Sequence, residues 1–343
     1  MVTVALAPAA ASHDFALGDV LTARGDVLRN ARLRYRVLGD VDAARANGWI
    51  LVFHALTGSA DVDAWWGPIV GPGLPLDTSR HAILAANLLG SCYGSTGPAD
   101  WTGGDAPFPV LTTVDLAAAH EPLLASLGIE RVALVTGGSL GGMVALEWAK
   151  RTRVSIGRVV VFGAPAVTSA QSIAWNAAQR MAIEADPAWR GGRYPPGAGP
   201  SAGLAAARAI AMITYRSLIE FEARFGRRRT RHPERFDVDH YLRRQGEKLV
   251  ARFDAASYVT LTHAMDLHDV GDYAAAARAT SARAREVVGV GIDTDILYPA
   301  AEVRGWVEKY APHSNARYVE ISSAYGHDAF LIEFEQVAAI LRA

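Results

Sequence analysis

Short, uninterrupted apolar runs recur along the first half of the chain. A glycine-rich turn or a stretch with helical periodicity follows each of them. Residues 49–53 (WILVF), 81–87 (HAILAAN), 131–135 (RVALV) and 158–162 (RVVVF) are such runs, and their continuity predicts strands buried on both faces. Residues 31–37 (ARLRYRV) alternate instead, with Leu33, Tyr35 and Val37 on one side, the pattern of an antiparallel edge strand. Residues 112–127 place Leu116, His120, Leu123, Leu124 and Leu127 at helical spacing, and Gly128 is positioned to close that helix. Residues 140–151 predict another helix. Strand and helix alternating at this spacing predict an α/β fold, a mostly parallel central sheet covered on both faces.

The rhythm changes after residue 166. From 167 to 281 no strand run stands out, and amphipathic helices are predicted at 170–185, 201–214, 237–253 and 257–266. A loop at 190–200 (RGGRYPPGAGP) and the basic run Arg227 to Arg231 separate them. The strand–helix alternation resumes with a strand at 286–292, a helix at 301–310, a strand at 317–321 and a last helix from about residue 328. One sheet needs strands from both flanks. The sequence therefore predicts a discontinuous catalytic domain, 1–166 with 282–343, carrying a helical cap (lid) insertion at 167–281.

Composition narrows the classes. The chain has 343 residues, 50% of them hydrophobic and 20% charged, with net charge −1, so it can bury a large core and is not a disordered segment. Near-neutral charge argues against a nucleic-acid footprint. The single cysteine, Cys92, excludes an internal disulfide and a four-cysteine zinc site, and no metal is expected. Residues 1–12 are Ala-rich without a basic start, which reads as a short frayed arm rather than a signal peptide. No window supplies the roughly 18 uncharged apolar residues of a membrane span, so a cytoplasmic protein is expected.

Chemistry enters at Gly137-Gly138-Ser139-Leu140-Gly141, between the strand at 131–135 and the helix after it. A strand–turn–helix carrying G-x-S-x-G is a nucleophile elbow, with Ser139 at its tip and a helix N-terminus behind it. Serine needs a base, and the base an orienting acid; in such sheets the order along the chain is Ser, acid, His. His327 follows the strand at 317–321 and so lies at the ligand-binding edge, whereas His313 precedes that strand. Asp293 and Asp295 both follow the strand at 286–292; Asp295, closer to Pro299, is the preferred acid. Oxyanion stabilisation needs two backbone N–H groups. Leu140 is expected to supply one, and the loop 54–58 the other through Leu56, with its neighbour Thr57 as the alternative. His54 reads as a structural histidine of that loop.

Taken together, HALTGSA (54–60), NLLGSCYGSTGP (87–98), GGSLGGMVALEWA (137–149), TYRS (214–217), RFDAASY (252–258) and YGHDAFL (325–331) resemble the homoserine O-acetyltransferase family of α/β-hydrolase-fold acyltransferases. Leu140 stands where methionine is common in the family and Ser91 where glycine is usual. The resemblance implies a ping-pong transfer in methionine biosynthesis, with acetyl-CoA as co-substrate and no cofactor. It places the substrate carboxylate at Arg208, a second active-site position at Tyr215 and the amino group at Asp328. Side chains unrelated to substrate remain alternatives: a surface Arg208, and an Asp328 that caps the last helix. Family members pair through the cap, which implies a homodimer with Ile210, Ile213 and Leu218 as contacts; packing on the sheet is the other use for them. The basic run 227–231 reads as a solvated cluster rather than a CoA phosphate site. A cap that excludes water explains why such a triad transfers rather than hydrolyses. Succinyl-CoA as donor, serine as acceptor, and a plain esterase or thioesterase are the rival readings; an intact Ser139, Asp295 and His327 set argues against a binding protein without catalysis.

Overall fold

A computed structural model describes residues 11–101, 106–229 and 234–343. Eight strands form one sheet: β1 (Ser12–Leu21), β2 (Val27–Gly39), β3 (Trp49–Phe53), β4 (Ala82–Ala86), β5 (Arg131–Gly138), β6 (Ser155–Phe162), β7 (Ala284–Ile292) and β8 (Ala316–Ile321). Their order is β1-β2-β4-β3-β5-β6-β7-β8; β1–β2 and β2–β4 are antiparallel and the other pairs parallel.

The all-apolar strands divide their side chains between two cores with period two. In β3, Trp49, Leu51 and Phe53 enter one core and Ile50 and Val52 the other; β6 sends Val159 and Val161 one way and Val160 and Phe162 the other. Each such buried side chain contributes roughly 1.5–3 kcal/mol, so a one-residue slip of a central strand is prohibitive. This is why the continuous runs are read correctly from sequence.

The helices outside the insertion are α1 (Val41–Asn47), α2 (Val62–Trp65), α3 (Thr113–Ala118), α4 (His120–Ser126) and α5 (Leu140–Arg151). Within it lie α6 (Ala170–Glu184), α7 (Ser201–Tyr215), α8 (Leu218–Arg224), α9 (Asp237–Val250), α10 (Ala255–Asp266) and α11 (Tyr273–Ser281), followed by α12 (Ala300–Tyr310) and α13 (Phe334–Arg342). Helices α3, α5 and α12 bury Leu116, Met143, Trp148 and Trp306 in the first core. On the opposite face, α2 and α13 bury Val62, Val337 and Ile340. Helix α7 packs on α6 and α9, and α6 on α10. Helix α11, inside the predicted insertion, packs instead on α5, α12 and β7.

Four expectations are corrected. The strand at 31–37 is not an edge, because β1 covers it; β1 is mostly exposed, and its apolar alternation covers only Phe15 and Leu17 before the strand bulges around Gly18. Ser12 begins β1, and residues 1–10 of the predicted arm lie outside the described residues. The helix at 112–127 breaks at Ala119, where the ring of Pro122 opposes a continuous ladder. No helix starts at residue 328: a 3-10 turn spans Gly326–Leu331, and α13 begins at Phe334. Among the described residues no single helix is long and apolar enough to cross a membrane.

Candidate active site

Ser139 sits where β5 turns into α5, with φ 57° and ψ −128°. A non-glycine residue in that region carries roughly 1–3 kcal/mol of strain, which persists only where the surroundings fix it. Here the Ser139 N–H donates to the Phe162 carbonyl at 2.9 Å, and its carbonyl accepts from the Met143 N–H at 3.1 Å. The flanking glycines have a steric cause. A Cβ on Gly137 would lie 2.6 Å from the Gly141 carbonyl carbon and 2.7 Å from the Phe53 oxygen, and one on Gly141 would strike that same oxygen. The motif is thus the sequence trace of β3, β5 and α5 crossing in contact.

His327 lies in the turn after β8. Its Nδ1 is 2.6 Å from Asp295 Oδ2, and both side chains are buried. The other oxygen, Asp295 Oδ1, accepts the N–H groups of Leu297 (2.8 Å) and Tyr298 (3.0 Å). Asp293 faces elsewhere, accepting from Ser322 Oγ at 2.7 Å and the Ser323 N–H at 3.0 Å. The rings of Tyr298, Phe330 and Tyr215 stand 5.3, 5.7 and 5.7 Å from the imidazole. With Nδ1–H given to the carboxylate, Nε2 carries the free lone pair, and no group among the described residues bonds to it. Burial alone pushes the His327 pKa down, but the attraction of the Asp295 carboxylate outweighs it, and the net shift is upward.

Ser139 and His327 line one cavity of about 280 Å³, together with Leu56, Arg208, Tyr215 and Asp328. Residues predicted from positions far apart along the chain are therefore brought to one space. A larger cavity of about 680 Å³, walled by Trp101, Phe108, Trp189 and Tyr194, shares no residue with it. Leu56 and Thr57 both sit in the tight turn closed by the Gly58 N–H on the Ala55 carbonyl at 2.8 Å. Leu140 is the first residue of α5, with its side chain buried. His54 accepts the Leu88 N–H at 3.0 Å, and burial pushes its pKa down to about 4, as befits a structural neutral histidine.

Arg208 and Tyr215 lie seven residues apart on α7, two turns along one face. The Arg208 guanidinium stands 5.4 Å over the Tyr215 ring and makes no ion pair or hydrogen bond among the described residues. It is a cavity wall, not a surface side chain. Asp328 does not cap the last helix. Its carboxylate pairs with Arg216 at 3.2 Å, and burial foremost raises its pKa against the attraction of that cation. Arg216 belongs to the bend between α7 and α8, where Ser217 Oγ also donates to the Ala324 carbonyl. That bend is consequently docked on the turn that carries His327.

Residue-by-residue reading misses Arg216 and three cavity residues, Trp65, Tyr93 and Arg252. Arg216 and Arg252 lie within quoted stretches, TYRS and RFDAASY, but their roles depend on partners distant in sequence. Cys92 is half-buried in the wall of a neighbouring cavity, and burial pushes its thiol up to about 11. In the basic run, Arg228 pairs with Asp237 at 3.5 Å and Arg227 stands over Phe236; Arg231 lies outside the described residues.

A family model described as the alpha/beta hydrolase fold matches residues 48–333. The homoserine O-acetyltransferase of Chlorobaculum parvum is 44% identical over 325 residues, covering 92% of this chain and 88% of that protein. That of Carboxydothermus hydrogenoformans is 40% identical over 342 residues, with coverages of 92% and 90%. The crystal structure of homoserine O-acetyltransferase from Staphylococcus aureus matches with TM-score 0.77 and 29% identity over 97% of this chain and 94% of that one. Esterase E22, with TM-score 0.87 but 21% identity over 97% and 98% of the two chains, shares the fold. By identity and coverage, the chain belongs to the homoserine O-acetyltransferase family, built on the α/β-hydrolase fold.

Proposed function

We propose that the protein is a homoserine O-acetyltransferase, moving acetyl from acetyl-CoA to the homoserine γ-hydroxyl through an acetyl-Ser139 intermediate, with no further cofactor. One observation carries the choice of acceptor. Arg208, a cation that makes no direct ion pair among the described residues, shares a cavity with Ser139 and His327 and with the acid Asp328. A zwitterionic amino acid needs a cation and an anion set apart, and a plain ester needs neither.

In the first half-reaction Ser139 Oγ attacks the thioester carbonyl while His327 Nε2 takes its proton. The N–H groups of Leu56 and Leu140 receive the developing oxyanion, and Asp295 stabilises the imidazolium. The C–S bond breaks, and the proton on His327 leaves with CoA. In the second, the homoserine hydroxyl gives its proton to Nε2 and attacks the acetyl carbonyl; the bond to Ser139 Oγ breaks, and Nε2 passes the proton to the leaving Oγ. Helices α6 to α10 act as the lid that keeps water from competing, while α11 belongs to the sheet domain.

The test is CoA release from acetyl-CoA or succinyl-CoA with homoserine, serine or no acceptor. Release independent of any amino acid overturns the transferase reading. Arg208→Ala should raise the KM for homoserine roughly 10- to 100-fold, the value of about 1.5–3 kcal/mol for a hydrogen bond to a charged group, and leave that for acetyl-CoA nearly unchanged. Equal effects on both substrates count against the carboxylate role. The same reading pairs two copies through the cap, where Leu218 is 73% and Ile213 43% exposed while Ile210 is half-buried. A solution mass of twice the chain is expected, and Leu218→Asp should halve it; a wild-type monomer refutes the pairing.

A further inference from the structure

The turn at 55–58 is held at both ends by its own domain. His54 Nε2 accepts the Leu88 N–H at 3.0 Å, and the Ala60 N–H donates to Asn87 Oδ1 at 2.8 Å. Between them, Thr57 is gripped from the insertion. Arg252 Nη1 donates to the Thr57 carbonyl at 2.7 Å and to Tyr93 Oη at 2.7 Å, and Nη2 donates to Thr57 Oγ1 at 3.3 Å.

The base of that arm is rigid. Arg252 follows the C-cap residue Ala251 of α9, and its N–H donates to the Leu249 carbonyl at 3.0 Å. Phe253 is buried against the Tyr93 and Tyr258 rings. Asp254 then caps α10, accepting the Ser257 N–H at 2.8 Å, and its other oxygen accepts the Tyr194 hydroxyl at 2.8 Å. A guanidinium projected from a corner fixed on both sides holds its target in a defined place, because little side-chain and backbone freedom is left to lose.

We propose that Arg252 is a positioning residue for oxyanion stabilisation: from the cap, it fixes the turn 55–58 so that the Leu56 N–H points at the oxygen of the tetrahedral intermediate. The inference rests on the oxyanion role given to Leu56 above. The Thr57 carbonyl shares its peptide plane with the Gly58 N–H, which donates to the Ala55 carbonyl at 2.8 Å, and that carbonyl shares its plane with the Leu56 N–H, so fixing Thr57 carries through one hydrogen bond to the oxyanion donor. Removing an oxyanion donor outright costs about 100- to 1000-fold in kcat. Loosening the turn that carries one should cost less, about 10- to 50-fold.

The experiment uses p-nitrophenyl acetate, whose acylation of Ser139 needs neither CoA nor an amino acid, alongside the acetyl-CoA and homoserine assay. Arg252→Ala should lower the acylation rate constant with the ester and kcat for transfer by similar factors of about 10–50, with each KM within about threefold and an unchanged melting temperature. Arg252→Lys keeps the charge but cannot grip both Thr57 oxygens and Tyr93 with one nitrogen, so a loss of at least about fivefold is expected. Ester acylation within twofold of wild type in Arg252→Ala overturns the proposal, as does a loss confined to the KM for acetyl-CoA, which makes Arg252 an anion-binding residue for the donor. A wild-type protein that is acylated by the ester yet transfers nothing to homoserine defeats the proposed function and leaves this test intact.

Discussion

Ser139→Ala should abolish acyl transfer, with kcat falling by on the order of 10⁴-fold or more and no acetylated protein detectable by intact mass after exposure to acetyl-CoA. The expectation follows from position as much as from residue type. The elbow places Ser139 in the cavity that His327 also lines, and alanine leaves every backbone contact of the turn in place. Nucleophile deletions in enzymes of this chemistry leave only the catalysis of oxyanion donors and binding. The variant should fold normally. Alanine inherits the positive φ of 57°, so it relieves no strain, whereas Ser139→Gly does. We expect Ser139→Gly to be equally inactive but about 1 kcal/mol or more stable than Ser139→Ala in urea unfolding. Substantial activity in either variant, or a covalent acetyl group on Ser139→Ala, refutes the assignment of the nucleophile.

Asp295→Asn should cost about 10⁴-fold in kcat at neutral pH with little effect on either KM. The cause lies in the two faces of this carboxylate. Oδ1 accepts two peptide N–H groups, from Leu297 and Tyr298, so the carbonyl oxygen of an asparagine must occupy that place. Its NH₂ group then faces His327 Nδ1, which is 2.6 Å from the carboxylate in the native protein. Two donors cannot face each other, so Nδ1 becomes the acceptor and the proton moves to Nε2. The histidine is held in the tautomer that cannot take a proton from Ser139.

The pH dependence should report the same coupling. Asp295 raises the pKa of the buried His327, and the base works only when neutral. Wild-type activity should therefore rise with pH through a midpoint above the ordinary histidine value of about 6.5. In Asp295→Asn burial remains while the attraction is gone, so the acid limb should move to lower pH. For folding the sign is opposite to that for activity. A pKa raised in the folded state contributes stability that is full below the unfolded value and lost as pH rises through the folded one. An acid limb that stays in place in Asp295→Asn argues against the pairing as the source of the shift.

How much of this was legible depends on whether the cause was local. The crossing of β3, β5 and α5 forbids a Cβ at Gly137 and Gly141, and that prohibition writes itself into five consecutive residues. The choice of Asp295 over Asp293 was not local. Both follow β7, and they separate only because one faces the His327 turn and the other the serines after β8. The break at Ala119 had a local signal in Pro122 that the strong helical period of the flanking leucines masked. Strand β1 had only the short alternation of Phe15 and Leu17, which the bulge around Gly18 interrupts, and a mostly exposed strand is defined by the partner it pairs with.

By itself the sequence determined the strands with a continuous buried run and the strand–turn–helix at Ser139, and it predicted the order Ser, acid, His around a helical stretch between β6 and β7. These follow from steric and hydrophobic constraints that act within a few residues. Only the tertiary structure decided which charges are already satisfied. Among the described residues Arg208 makes no direct ion pair, Arg216 is committed to Asp328, and Arg252 is committed to Thr57 and Tyr93. Three arginines of the same insertion are alike as letters, but a guanidinium's function is set by the groups it meets, and those partners come from chain segments that only folding brings together.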